Sequence, residues 1–263
     1  MRAGRSGSAV ALAGALALVA FTAPAAEASD TGITVSNLVI NNGKPVIVGT
    51  AAEVTPDFTL HVKRPSGYAY NEVEASPFLY HGVTAAQGAQ EGGIYSGGET
   101  YYEDGSVEGE LYIDPPYTLD SNNDATTWKI AVSARTWGSD GQPDAEEYLT
   151  GLGTVQVKRV AKATVNASPE PIAKGKTLTV TGRLTRADWV KHAYVGYGGK
   201  SAKLQFRKAG TSTYSTVKIV QANSTGDLKT TVTASADGYW RWTFSETSTT
   251  GGATAKGDYL DVT

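Results

Sequence analysis

Asp237-Gly238-Tyr239-Trp240-Arg241-Trp242-Thr243-Phe244 is the stretch that decides the fold. Asp-Gly signals a tight turn, and the residues after it alternate. Trp240, Trp242 and Phe244 share one face, while Tyr239, Arg241 and Thr243 share the other. A side-chain period of two belongs to a strand with one buried face. An apolar trio at that period predicts a packed sheet.

The same period recurs on both sides of it. Leu178, Val180 and Leu184 point one way, and Thr177, Thr179, Thr181 and Arg183 the other. Leu204 and Phe206 alternate with Lys203, Gln205 and Arg207, and Val217 and Ile219 lie in another strand. Asn223-Ser224-Thr225-Gly226 turns into Leu228, Thr230, Val232 and Ala234, and 258–262 reads as a last strand. About seven short strands in roughly 100 residues are the spacing of an immunoglobulin-like β-sandwich. Tyr239, next to its turn, resembles the tyrosine corner of that fold. Arg241 stands where antibody domains carry a core Cys, so the likeness is to the architecture.

The upstream half reads as a second sandwich. Ile33–Ile40 and Pro45–Thr50 flank Asn41-Asn42-Gly43-Lys44, a hairpin signal. Phe58, Leu60 and Val62 alternate with Thr59, His61 and Lys63; Val107, Gly109, Leu111 and Ile113 alternate with Glu108, Glu110 and Tyr112. Trp128, Ile130, Val132 and Ala134 point inward from a further strand, and Val83–Gly98 reads as a long loop. The expected fold is therefore all-β, with two consecutive antiparallel β-sandwich domains over 29–160 and 161–263, the second immunoglobulin-like. The boundary lacks Gly/Ser linker composition, which predicts modules that sit close.

Residues 1–28 read as a signal peptide. Arg2 and Arg5 precede an apolar run from Ala9 to Ala23, and Ala26-Glu27-Ala28 is a small-x-small cleavage site. The expected location is secreted, extracellular, with no later membrane span. There is no Cys, which excludes disulfides, thiolate metal sites and a Cys nucleophile. Charge divides between the halves. Residues 29–160 hold 7 basic and 18 acidic side chains, net −11; residues 161–263 hold 14 and 7, net +7.

Thr181–Trp189, Lys203–Lys208 and Asp237–Trp242 together resemble a module that recurs in a family of uncharacterised secreted actinomycete proteins. The resemblance covers residues 163–263 and implies the immunoglobulin-like sandwich. It carries over no catalytic residue.

Chemistry is sparse. A Ser-His-Asp site needs an oriented His, and only His61, His81 and His192 exist, without a Gly-x-Ser-x-Gly elbow. All three read as scattered surface side chains. Glu108 and Glu110 lie about 7 Å apart on one strand face, a spacing suited to a solvated, mutually repelling edge or to a cation more than to a catalytic pair. Asp120, Asn122 and Asp124 place oxygens at alternate positions, as a calcium loop does, but Ala125 and Ala131 break that pattern. Calcium is the cofactor these residues would suit; otherwise none is expected. Trp189, Tyr194 and Tyr197 lie in an irregular, Gly-rich stretch, and Lys203 and Arg207 point outward from the next strand. Together they are the candidate ligand face. The expected function is a secreted, non-enzymatic binding or structural protein at the cell surface or in the extracellular matrix. Its expected partners are a cell-wall polymer, a polysaccharide or an extracellular protein, and not nucleic acid, for which no motif exists. A calcium-binding extracellular module and a secreted hydrolase are the alternatives.

Overall fold

The computed structural model describes residues 31–263, so the proposed signal peptide lies outside the described residues. The chain is all-β. Residues 34–159 form one nine-stranded path: β1 (Thr34–Ile40), β2 (Val46–Val48), β3 (Asp57–Lys63), β4 (Val73–Tyr80), β5 (Ile94–Tyr101), β6 (Ser106–Leu111), β7 (Thr127–Trp137), β8 (Pro143–Leu149) and β9 (Thr154–Arg159). The order β1-β3-β6-β5 makes one layer, and β4-β7-β9-β2, with β8 on β7, makes the other. Only Phe78↔Tyr95 and Leu79↔Ile94 join them as paired strands. The layers close over Phe58, Leu60, Val62, Val107 and Leu111 from one side and Trp128, Ile130, Val132 and Val157 from the other. This is the ABED/CFG order of an immunoglobulin sandwich.

Two local expectations fail here. Asn41–Lys44 is not a hairpin. Asn41, Asn42 and Gly43 all take left-handed backbone (φ 50°, 52° and 71°), and the turn carries the chain into the opposite layer. There β2 pairs with β9 in parallel, whereas β1 pairs with β3. The sandwich is thus antiparallel except at this switch. The stretch 83–98 is not a loop either. Thr84 caps α1 (Ala85–Gln90) by accepting from Gln87 N–H (3.2 Å), and β5 begins at Ile94. The helix lies over Phe78, Tyr80 and Ala131, and Gly88 packs so tightly on Tyr80 that a Cβ would meet it at 2.5 Å. After β6, Pro115-Pro116 opens a one-turn helix, α2 (Pro115–Thr118), where the missing N–H groups cost nothing.

The second half contains β10 (Ala161–Ala163), β11 (Asn166–Ser168), β12 (Thr177–Asp188), β13 (Ala193–Gly196), β14 (Ser201–Lys208), β15 (Ser215–Gln221), β16 (Asp227–Thr233), β17 (Gly238–Phe244), β18 (Ala253–Thr254) and β19 (Asp258–Leu260). Strands β10, β11, β13 and β16 all pair with β12; β15-β14-β17 form the facing sheet, with β18 and β19 on β17. Trp240, Trp242 and Phe244 point inward, as their spacing predicts, onto Leu178, Val180, Leu184 and Leu204. Strands outnumber the expected seven because the first and last are broken into short pieces. The Gly-rich stretch also hides β13.

The two halves are welded through β12. Leu178, Val180 and Leu184 feed the second core, but Ala187 and Trp189 enter the first. Trp189 is fully buried, and its indole N–H donates to Gly49 O (2.7 Å). Asn122 completes the joint. Its Oδ1 accepts from Trp189 N–H (3.0 Å) and Arg159 Nη1 (2.8 Å), and its Nδ2 donates to Asp188 Oδ1 (3.0 Å). Backbone bonds Ala187 N→Val160 O and Gly251 N→Arg159 O run alongside, and Lys158 meets Glu246 at 3.1 Å.

Trp189→Ala should therefore destabilise the protein by about 3–5 kcal/mol, the cost of emptying a large core site. The melting of both halves should move together, because one side chain of the second half fills the first. Thermal unfolding with two resolved transitions, of which only one shifts, would contradict the weld. Acid adds a second check. Burial pushes the Asp188 carboxyl up, but bonds from Asn122 and Lys191 N–H and the charges of Lys191 and Arg159 bring it below its ordinary 3.8. Its contribution is complete above that value and is lost as pH falls through the depressed one. Asp188→Asn should accordingly flatten the acid limb of a stability–pH curve below pH 4, and an unchanged limb would show that Asp188 is not responsible for it.

Candidate functional site

The outward face of β14, β17 and β19 holds an ordered array of arginines and tyrosines. Strand alternation puts Lys203, Gln205 and Arg207 of β14 outward, with Tyr239 and Arg241 of β17 beside them. Register then aligns the rows: Gln205 opposite Arg241, Arg207 opposite Tyr239, and Tyr239 opposite Tyr259 of β19. Arg207 lies 4.1 Å over the Tyr239 ring, and Tyr239 meets Tyr259 edge-on at 5.1 Å. Tyr214, from the β14–β15 connection, reaches across and receives Arg241 at 3.6 Å and Arg207 at 5.3 Å. Gln205 Oε1 accepts from Arg241 Nε (2.8 Å), and Arg207 Nη1 donates to Thr211 O.

Each guanidinium is thus held over a tyrosine ring. A stacked Arg keeps its charge and leaves several N–H groups free to meet an anion in plane. Ordering beforehand lowers the entropy lost on binding. Tyr259 stays a neutral phenol, pushed up by desolvation and by the charges of Asp237 and Asp261. At the other side of the face, Ile219 of the edge strand β15 is 62% exposed opposite Lys203. The surface offers cations, aromatic edges and an apolar margin, and no nucleophile beside a base.

The residues singled out from the sequence do not assemble into one face. Trp189 is core. Tyr197 is buried in the second core, with Arg186 4.2 Å and Lys200 5.3 Å from its ring and its hydroxyl on Thr250. Tyr194 is half-buried at the joint under Lys162 (3.4 Å). Only Lys203 and Arg207 stand on the outward sheet. Tyr239 is not a tyrosine corner, since its ring lies outside under Arg207.

The carboxylates are dispersed as well. Asn122 is committed to the joint. Asp124 accepts from Ser121 N–H (3.1 Å) and faces His81 at 3.9 Å, while Glu108 accepts from Tyr102 on the far hairpin. Glu110 stands opposite Asp57, and Asp120 precedes Ser121, whose side chain caps the turn at Asn122–Asp124. No group of three His, Cys, Asp or Glu that could hold a metal ion occurs among the described residues. His81 is no free surface side chain. It packs on Trp128 at 3.6 Å, and burial lowers its pKa against the opposing pull of Asp124.

No family model matches the sequence, and no curated protein matches it. Solved structures similar to it include FdeC, an Escherichia coli adhesin (18% identity, TM-score 0.35), matched over 91% of this chain and 66% of that one. Fibronectin(III)-like modules of Clostridium thermocellum CbhA match over 86% and 92% (14%, 0.30), and the D0-D1 domain of Intimin over 86% and 98% (14%, 0.25). These likenesses are distant, and the strand order above carries the fold assignment by itself.

Tyr214 is the keystone of the array. A Cβ at Gly257 would sit 2.4 Å from the Tyr214 hydroxyl. Gly257→Ala should displace that ring and abolish the ring-current shifts of the Arg241 side-chain protons in NMR spectra, while Arg207 keeps those from Tyr239. Stability should change by about 1 kcal/mol or less, as cation–π contacts at exposed sites are individually small. Retained Arg241 shifts would show that this arginine is not held this way.

Proposed function

We propose that this chain is a secreted, non-enzymatic structural protein that binds anionic material at a cell surface or in the extracellular matrix, through the Arg–Tyr face of its second module. The stacked pair Arg207 and Arg241 carries the reading. Two guanidiniums held over Tyr214 and Tyr239 form a prearranged receptor for carboxylate, sulfate or phosphate groups on a polymer. The net charge of +7 over residues 161–263 supplies attraction at longer range. The export signal read at residues 1–28 and the resemblance to secreted actinomycete modules support the extracellular setting.

Binding to an acidic polysaccharide or to isolated anionic wall polymer, followed by co-sedimentation, should weaken steeply with salt. Arg207→Ala with Arg241→Ala should reduce affinity by about tenfold or more, and Arg→Lys at both positions should fail to restore it, since an ammonium lacks the planar fork. Affinity indifferent to salt and to both substitutions would remove this face as the site.

A further inference from the structure

The weld between the modules leaves an electrostatic complement unused within one chain. Joint contacts are made by residues such as Asn122, Arg159, Asp188 and Trp189, none of which belongs to the Arg–Tyr face. The first module presents the opposite chemistry on the outer side of its β1-β3-β6 layer. Glu110 stands opposite Asp57 and Glu108 opposite Thr59. Beside them β1 bulges between Ser36 and Val39, with Asn37 at φ 54°, and the layer opens into a shallow pocket of about 280 Å³. Asn37, Thr59, His61, Tyr102 and Glu108 line it. Its carboxylate accepts one bond from the Tyr102 hydroxyl and keeps further lone pairs for other donors. Tyr102 is 43% exposed at the rim.

A carboxylate beside a tyrosine hydroxyl matches a guanidinium, and the second module holds two guanidiniums outward on a sheet face. We infer that the pocket beside Glu108 receives Arg207 or Arg241 from a second copy of this chain, so that copies associate head to tail. The inference rests on the Arg–Tyr face being a contact surface, as proposed above, and adds a specific occupant for it. The contact is heterologous: each copy offers a basic face to one neighbour and an acidic pocket to another. One pairing therefore leaves both ends able to pair again, and open chains form unless the rotation closes a ring. An anionic polymer on the Arg–Tyr face would compete with this assembly.

Sedimentation velocity of the full secreted chain tests it. Average mass should rise with protein concentration at low ionic strength and return to that of a monomer at high salt. Arg207→Glu with Arg241→Glu should give a monomer, as should Glu108→Arg with Glu110→Arg. An equimolar mixture of the two reversed proteins should associate again, because each then supplies the charge the other lacks. Recovery in the mixture cannot arise from misfolded variants. If a reversal fails to fold, Glu108→Gln and Arg241→Gln should each weaken association by about tenfold at an unchanged melting midpoint. A wild-type monomer under all conditions overturns the inference, and so do folded reversed proteins that stay monomeric when mixed. Polymer binding separates the two readings. The Glu108→Arg, Glu110→Arg protein should still bind anionic polymer, so loss of self-association with polymer binding intact removes the second copy and leaves the Arg–Tyr face in place.

Discussion

Everything in this molecule is referred to one buried side chain that crosses from one core to another. Trp189 belongs by sequence to the second module and by packing to the first. Its indole N–H and its backbone N–H both end on atoms of the first module, Gly49 O and Asn122 Oδ1. Burying an indole without those two acceptors would forfeit much of the gain from the apolar contact. Asn122 bonds Trp189 N–H, Arg159 Nη1 and Asp188 at once, so a polar cluster that would weaken a joint becomes part of it. The consequence is mechanical. Two sandwiches joined in this way present their outer faces at fixed places, where a flexible linker would let them wander.

The alternating residues were readable because strand burial follows a period of two whatever the tertiary context. Phe58, Leu60 and Val62, or Trp240, Trp242 and Phe244, could be placed inward with no knowledge of their neighbours. Asn41–Lys44 shows where that logic stops. An Asn-Gly turn between two β-formers is the usual hairpin signal, yet three left-handed residues in a row send β2 to the other sheet. Which sheet a strand joins is decided by long-range packing of Val46 and Val48, and a four-residue window does not contain it. Helix α1 leaves no local signal for a related reason. Its six residues are stabilised by a Thr84 cap and by Tyr80 beneath Gly88, and neither produces a helical period of apolar side chains.

The candidate face was half legible. Outward placement of Lys203, Arg207, Tyr239 and Arg241 follows from alternation alone. Their meeting depends on the β14–β17 register, which puts Arg207 opposite Tyr239, and on the reach of Tyr214 from a turn. Neither is encoded in local spacing. The aromatics that stood out in sequence, Trp189 and Tyr197, turned out to serve cores because β13 gives order to a stretch that reads as irregular. The acidic loop at 120–124 misled in the same way. Its alternating oxygens are a turn whose Asn122 side chain is needed 67 positions away at Trp189.

Surface charge by itself is a weak source of binding energy. Exposed ion pairs contribute about 0–1 kcal/mol, since long side chains lose entropy and water competes. Stacking Arg207 and Arg241 on Tyr214 and Tyr239 changes that balance. The rings and Gln205 fix both guanidiniums before any ligand arrives, so part of the ordering cost is met by folding. What remains exposed is directional, planar and spaced by the sheet. A surface of mobile lysines with the same net charge would attract anions equally at long range and hold them less well at contact. The distinction between attraction and retention is what would separate a merely basic module from a binding face, and on this surface it would reside in Tyr214 and Tyr239, whose rings carry no charge.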